Sequence, residues 1–379
     1  MRTTDLNSVL GLKKLDVFMN ERHVGTLALT KDHVVAFQYC DEWLASGFSI
    51  SPLSITFDNS VQVPKYQPFE GLFGVFDDCL PDGWGWLLAD RMLRDKGIEP
   101  SDLTSLSRLA LIQPNSIGSL NFRPRYEETD NKTIENFDEI ARECQKIFDN
   151  VKVPDIDKYY QMAGSSGGAR PKVNALIDDE PWIVKFGSSL DAKNIGEKEY
   201  HYNELATKCG IDVAEHILID SKICSGIFAS KRFDYINTKE GLKKIHIVSA
   251  GGLLEVSHRV PALDYDHLLK LTLRLTQSMA EVKKMFRLMV FNVAIGNKDD
   301  HAKNFSYLYD EETQSWRLCP AYDLTKNEGM AGEHTTTING KGKNISHQDL
   351  LEVGKRIGIS AHNSKEMIEQ VLDVVKTDS

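Results

Sequence analysis

The first forty residues carry three short apolar runs, Leu15 to Phe18, Val24 to Leu29 and Val34 to Tyr39, separated by polar turns such as Asn20-Glu21-Arg22. That alternation predicts strands. After the turn Pro81-Asp82-Gly83, Trp84, Leu87, Leu88, Met92 and Leu93 recur at helical spacing and predict a helix with one apolar face. Leu103 to Ile112 is expected to form another, and Ser116 to Leu120 with Phe122 a turn into a closing strand. The run 126 to 135, YEETDNKTIE, is polar and acidic and marks a boundary near residue 125. From about 163 to 235 strands alternate with one helix, Glu197 to Cys209, on which Tyr202, Leu205, Ala206 and Cys209 share a face. Beyond about 262 the pattern turns mainly helical, and Met279 to Ile295 places Val282, Met285, Phe286, Met289 and Val293 on its buried side.

The 379 residues contain 41% hydrophobic and 26% charged positions, which fits a folded chain of two or three domains. Forty-five basic residues against 55 acidic ones leave a net charge of −10, which argues against a chain-wide grip on nucleic acid. The longest apolar stretch, Leu288 to Ile295, is too short to cross a bilayer, and the start MRTTDLNSVLG lacks the pattern of a signal peptide. A cytoplasmic protein with no membrane partner is expected. Six scattered cysteines, with no C-x-x-C pair, predict reduced thiols rather than a zinc knuckle or a disulfide frame.

Candidate chemistry concentrates between Asn297 and Asp323. A mainly apolar helix ends at Gly296, and Asn297-Lys298-Asp299-Asp300-His301-Ala302-Lys303-Asn304 follows at once. A hairpin and the loop Pro320-Ala321-Tyr322-Asp323 come next. In protein kinases the catalytic Asp precedes an Asn by five positions: one accepts the substrate hydroxyl proton, and the other holds magnesium. Asp299 and Asn304 have that spacing, and Asp323, returned by the hairpin, supplies a second hard oxygen ligand. Asp and Asn are also ordinary turn formers. The ordered set, from helix to hairpin to Asp323, favours chemistry. His301 either braces this loop or transfers protons, and Lys303 either meets phosphate or faces solvent.

Upstream, Gly164-Ser165-Ser166-Gly167-Gly168-Ala169-Arg170-Pro171-Lys172 is a small-residue loop with basic side chains, of the kind whose backbone N–H groups approach phosphate closely. Lys185, inside the apolar strand Trp182 to Phe186, resembles the kinase lysine that meets ATP phosphates. Glu199 could orient it, although an exposed helix-face glutamate is the default expectation. Gly226 to Asp234 leaves this small lobe and could supply a backbone hinge to adenine.

The motifs SSGGARPK (165–172), WIVKF (182–186), KRFD (231–234), DDHAKNFS (299–306) and PAYD (320–323) resemble the HipA family of serine/threonine kinases, the toxins of bacterial toxin–antitoxin modules. VFMNERHVGTL (17–27), LPDGWGWLL (80–88) and IGSLNFRP (117–124) look like that family's extra amino-terminal subdomain. The resemblance implies an α+β, two-lobed protein-kinase-like fold. A β-rich subdomain would span 1–125, a small lobe with the Gly-rich loop 126–235, and a mainly helical large lobe with the catalytic loop 236–379. It implies ATP and Mg2+ as cofactors, Asp299 as catalytic base, and Asn304 and Asp323 as metal ligands. Ser166, Gly167, Gly168, Ala169, Lys172, Lys185, Lys231, Phe233, His301 and Lys303 would line the ATP site. An inhibitory autophosphorylation serine matches Ser165, with Ser166 the alternative. Implied partners are a protein substrate such as an aminoacyl-tRNA synthetase and a small helix-turn-helix antitoxin like HipB, through which alone DNA would be reached. The stretch His246 to Gly252 departs from the family, lacking the Glu-Asp pattern expected before the first large-lobe helices. A small-molecule or lipid kinase and a catalytically silent repressor partner are the competing readings.

Overall fold

The computed structural model describes residues 6–126, 136–165, 167–239 and 241–378. It comprises two compact units. One holds the described residues up to Gly196 together with Leu218–Val248 and Gly252–Glu255, and the other holds Glu197–Ile217, Ser249–Gly251 and Val256 onward.

In the first unit the predicted strands form, as β1 (Lys14–Met19), β2 (Arg22–Leu29) and β3 (Val35–Tyr39). With β4 (Leu120–Arg123) they make one sheet in the order β3-β2-β1-β4, antiparallel throughout. Asn20 closes the β1–β2 turn at φ 53°, a left-handed conformation that Asn tolerates better than most residues. One face is sealed by aromatic contacts, with Phe76 5.1 Å from Phe37 and 6.3 Å from Phe122, all essentially buried. The helix Gly83–Asp95 forms as its spacing predicts and buries Trp84, Leu88, Met92 and Leu93.

The helix expected over Leu103 to Ile112 is shorter. A 3-10 turn at Pro100–Asp102 precedes it, Thr104 caps it by accepting from the Ser107 amide, and it spans only Ser105–Leu109. Two helices lie in a stretch to which no element was assigned from sequence, Phe137–Phe148 and Ile156–Ala163. Next, β5 (Lys172–Ile177) and β6 (Glu180–Lys185) form an antiparallel hairpin, and the strand Ile227–Lys231 pairs antiparallel with the other edge of β6.

The second unit is mainly helical. Tyr265–Thr276 begins at a capping box of Asp264 with His267, and His347–Arg356 at one of Ser346 with Asp349. Met279–Ile295 is capped by Ser278 and ends at Gly296, whose φ of 71° lets the chain turn away. Val282, Met285, Phe286 and Met289 are fully buried, as their spacing predicts, whereas Val293, expected with them, is only half-buried, and the carboxy-terminal helix Ala361–Asp378 buries Met367, Ile368 and Val371. The hairpin Ser306–Asp310 and Ser315–Leu318 follows the Asn297–Asn304 loop. Among the described residues no helix is long and apolar enough to cross a membrane, and all six cysteines are unbridged.

Candidate active site

The Gly-rich loop is built within the first unit. The helix Ile156–Ala163 stops at Gly164 (φ 59°), and its last carbonyls are satisfied by Asn174, whose Nδ2 donates to Met162 O at 3.2 Å and Ala163 O at 3.0 Å. Gly168 sits at φ 95°, and a Cβ there would come within 2.9 Å of Lys172 Nζ. The start of the helix Gly83–Asp95 lies against the loop. Trp84 N donates to Gly168 O at 3.0 Å and Trp84 Nε1 to Lys172 O at 3.1 Å. A Cβ on Gly83 would fall 2.7 Å from Ala169 Cα, so only glycine permits this approach. Lys172 Nζ donates to the Gly167 carbonyl. Ser165 is buried, and its Oγ accepts from Ile117 N at 3.1 Å. Ser166 lies outside the described residues. Arg170, grouped by its sequence position with the phosphate-facing basic residues, forks Asp191 at 2.9 to 3.2 Å. Burial raises the Asp191 carboxyl, but bonds from Arg170 and Ser188 outweigh it and hold the group below its ordinary range.

The β5–β6 register sets Lys172 directly opposite Lys185, and the register with the next strand sets Lys185 opposite Phe228. Lys185 Nζ lies 5.7 Å from the Phe228 ring centre. Lys231 pairs with Glu180, and Phe233 is half-buried. Between them the structure reveals a buried pair that the motif alone did not assign. Arg232 Nε donates to Asp234 Oδ1 at 2.9 Å, and its other nitrogens reach Asn174 Oδ1 at 3.0 Å, Ser116 O at 2.9 Å and the Asn115 carbonyl. Asp234 Oδ2 also accepts from Gly118 N at 2.8 Å. Burial would raise the Asp234 carboxyl, yet the Arg232 guanidinium holds it below its usual value. An Arg and an Asp two positions apart around Phe233, at the end of an apolar strand, were the available signal.

The residues of the candidate catalytic loop lie together in the second unit. Asn304 Nδ2 donates to Asp299 O at 2.7 Å, which fixes the two candidate groups across one turn, Ala302–Asn304. Tyr322 OH donates to Lys303 O at 2.6 Å and shares a 2.6 Å bond with Ser306 Oγ, tying the Pro320–Asp323 segment to the loop. Asp323 adopts φ 54°, and its carbonyl accepts from Asn297 Nδ2 at 3.2 Å. His301 lies near His258, ring centres 5.4 Å apart and planes tilted at 54°, while its Nδ1 is buried without a hydrogen-bond partner.

The adjacent aspartates differ sharply. Asp299 is exposed, whereas Asp300 is buried and accepts from Tyr265 OH and Thr335 N, each at 2.9 Å, with His334 Nδ1 also at 2.9 Å. Glu199 is buried too, contrary to the exposed default. No cluster of three His, Cys, Asp or Glu side chains forms a metal site among the described residues. The expected ligands Asn304 and Asp323 offer an amide oxygen and a carboxylate, the hard oxygen donors that magnesium prefers when phosphate and water fill its other positions.

Comparison with known proteins places the chain in a family. Residues 15–123 match the HipA N-terminal domain and residues 164–378 the HipA-like C-terminal domain. A Sinorhizobium fredii protein named "Putative kinase Y4dM" is 33% identical over 173 residues, covering 42% of this chain and 40% of that relative's length. A Haemophilus influenzae protein named "Putative kinase" is 22% identical, with coverage of 56% and 75% respectively. The structure of HipA from Shewanella oneidensis MR-1, solved with HipB and operator DNA, superposes with a TM-score of 0.71 at 17% identity, covering 96% of this chain and 89% of that one. This likeness extends the two-lobed α+β kinase-like fold to nearly the whole chain. With both domain descriptions matched in order, and the carboxy-terminal one spanning more than half the length, the protein belongs to the HipA family.

Proposed function

We propose that the protein is a HipA-like toxin, an ATP- and magnesium-dependent serine/threonine protein kinase that phosphorylates a translation component, such as an aminoacyl-tRNA synthetase. The functional division follows 1–125, 126–235 and 236–379. The observation that carries this reading is the contrast at Asp299-Asp300: one carboxylate is exposed, and its neighbour is locked beneath by bonds from Tyr265, His334 and Thr335. Asp299 accepts the proton of the substrate hydroxyl as its oxygen bonds to the γ-phosphorus. The bond from that phosphorus to the β–γ bridging oxygen breaks, and ADP leaves. Asn304 and Asp323 would hold magnesium, which when bound neutralises charge on the phosphates. Lys185, Lys172 and the amides of Gly167, Gly168 and Ala169 bind the phosphates. Lys303 and His301 border the transfer, and Lys231 to Phe233 supply the hinge.

Ser165 is the proposed autophosphorylation site, with Ser166 the alternative. The buried setting of Ser165 supports an inhibitory role, because a phosphate there adds close to two negative charges and cannot stay where the hydroxyl accepts from Ile117 N. The proposed partner is a small HipB-like helix-turn-helix antitoxin, with operator DNA reached through it.

The test is transfer of labelled phosphate from ATP into a cell lysate, followed by mapping of the label. Wild type should mark serine or threonine on a protein and on itself. Asp299→Gln should lower both by about a thousandfold or more while retaining a cooperative melt. Retained transfer by that variant would remove Asp299 as the base. Label confined to metabolites would replace the protein substrate with a small molecule.

A further inference from the structure

Beneath the proposed transfer site runs an unbroken line of buried hydrogen bonds. Asn297 Nδ2 donates to Asn292 Oδ1 at 3.1 Å, Asn292 Nδ2 donates to Tyr265 OH at 3.0 Å, and Tyr265 OH donates to Asp300 Oδ2 at 2.9 Å. The same Asn297 nitrogen donates to the Asp323 carbonyl at 3.2 Å. All four side chains in the line are at most 3% exposed. One end touches the residue beside Asp299 and the other the backbone of Asp323, with both contacts inside one compact unit.

The direction of the line is fixed. Tyr265 has one proton and gives it to the carboxylate, so its oxygen must accept from Asn292. The Asn292 amide is thereby oriented, and its oxygen must accept from Asn297. Each bond polarises the next toward the anionic end, and the buried setting strengthens them all. Apolar residues of similar volume would serve packing at least as well, since buried polar groups are weak contributors to stability. Their arrangement makes sense as a device for holding geometry.

We propose that Tyr265, Asn292 and Asn297 are positioning residues that, through Asp300 and the Asp323 carbonyl, set the spacing between the candidate base Asp299 and the candidate metal ligand Asp323. This rests on the kinase reading above. The three residues act at one remove and touch neither substrate nor metal. Outer partners of this kind change metal affinity without supplying a ligand.

The test is binding of Mn2+ in the presence of a non-hydrolysable ATP analogue, followed by electron paramagnetic resonance of the free ion. Tyr265→Phe and Asn297→Ser, separately, should each weaken Mn2+ binding about tenfold. Metal-free binding of the analogue should stay within about twofold of wild type, and the double variant should bind Mn2+ no worse than the weaker single one, because a broken line cannot be broken twice. Phosphoryl transfer should need correspondingly more magnesium for half-maximal rate. Unchanged Mn2+ binding in both single variants, or losses that simply add, would overturn the proposal even with an active wild type. If one variant fails to fold, the other decides by its own Mn2+ affinity. A wild type that binds no Mn2+ with the analogue would instead defeat the kinase reading and the relay with it.

Discussion

Asp299 and Asp300 have the same side chain, and the sequence offers no means of telling them apart beyond spacing to Asn304. Burial does tell them apart, because Asp300 is the carboxylate with amide, hydroxyl and imidazole groups converging on it. The spacing therefore made the exposed candidate legible, while the locking partners, Tyr265 and His334, lie 35 and 34 residues away and could not be found by local pattern. Gly168 is a second residue whose identity has a conformational reason. At φ 95°, an alanine would suffer a left-handed penalty of about 1 to 2 kcal/mol and press on Lys172. Gly168→Ala should lose that stability and also weaken ATP binding by calorimetry. Gly97→Ala, at φ 77° with open space around it, should lose stability alone. Equal ATP affinity in the two variants would detach Gly168 from nucleotide binding.

At the level of elements, strands and helices with clean periodicity were legible from β1 to β3 and along Met279–Ile295. The helix Phe137–Phe148 also carries a readable stripe, Ile140, Ala141, Cys144 and Ile147, but it abuts the polar run 126–135 and was absorbed into that boundary. Spacing cannot show how one element is fastened to another. The loop Pro114–Gly118 is joined to the KRFD segment by Arg232 and Asp234, and Lys244 adds a bond to Pro114 O at 2.8 Å. Arg232→Ala would leave Asp234 buried without its guanidinium partner, at a cost of about 3 kcal/mol. The expected result is a large fall in the denaturant midpoint. The double variant Arg232→Met, Asp234→Leu should recover much of it. A single variant as stable as wild type would show the pair to be dispensable.

For the whole molecule, composition bounded the answer and the motifs sharpened it. The net charge of −10 leads to the expectation that the chain alone leaves operator DNA unshifted in a gel at physiological salt, and that a shift appears once a helix-turn-helix antitoxin is added. A shift by the chain alone would contradict the proposed indirect route to DNA. The cross-strand pairing of Lys172 with Lys185 has a consequence of its own. Two cationic side chains placed opposite each other on neighbouring strands concentrate positive charge at one point of the sheet. A polyphosphate bound there would bind the folded chain alone, so its binding would be coupled to the melting of the fold. The sheet would then grow more heat-resistant with each phosphate its ligand carries, and added salt, by screening the same charges, would erode that gain.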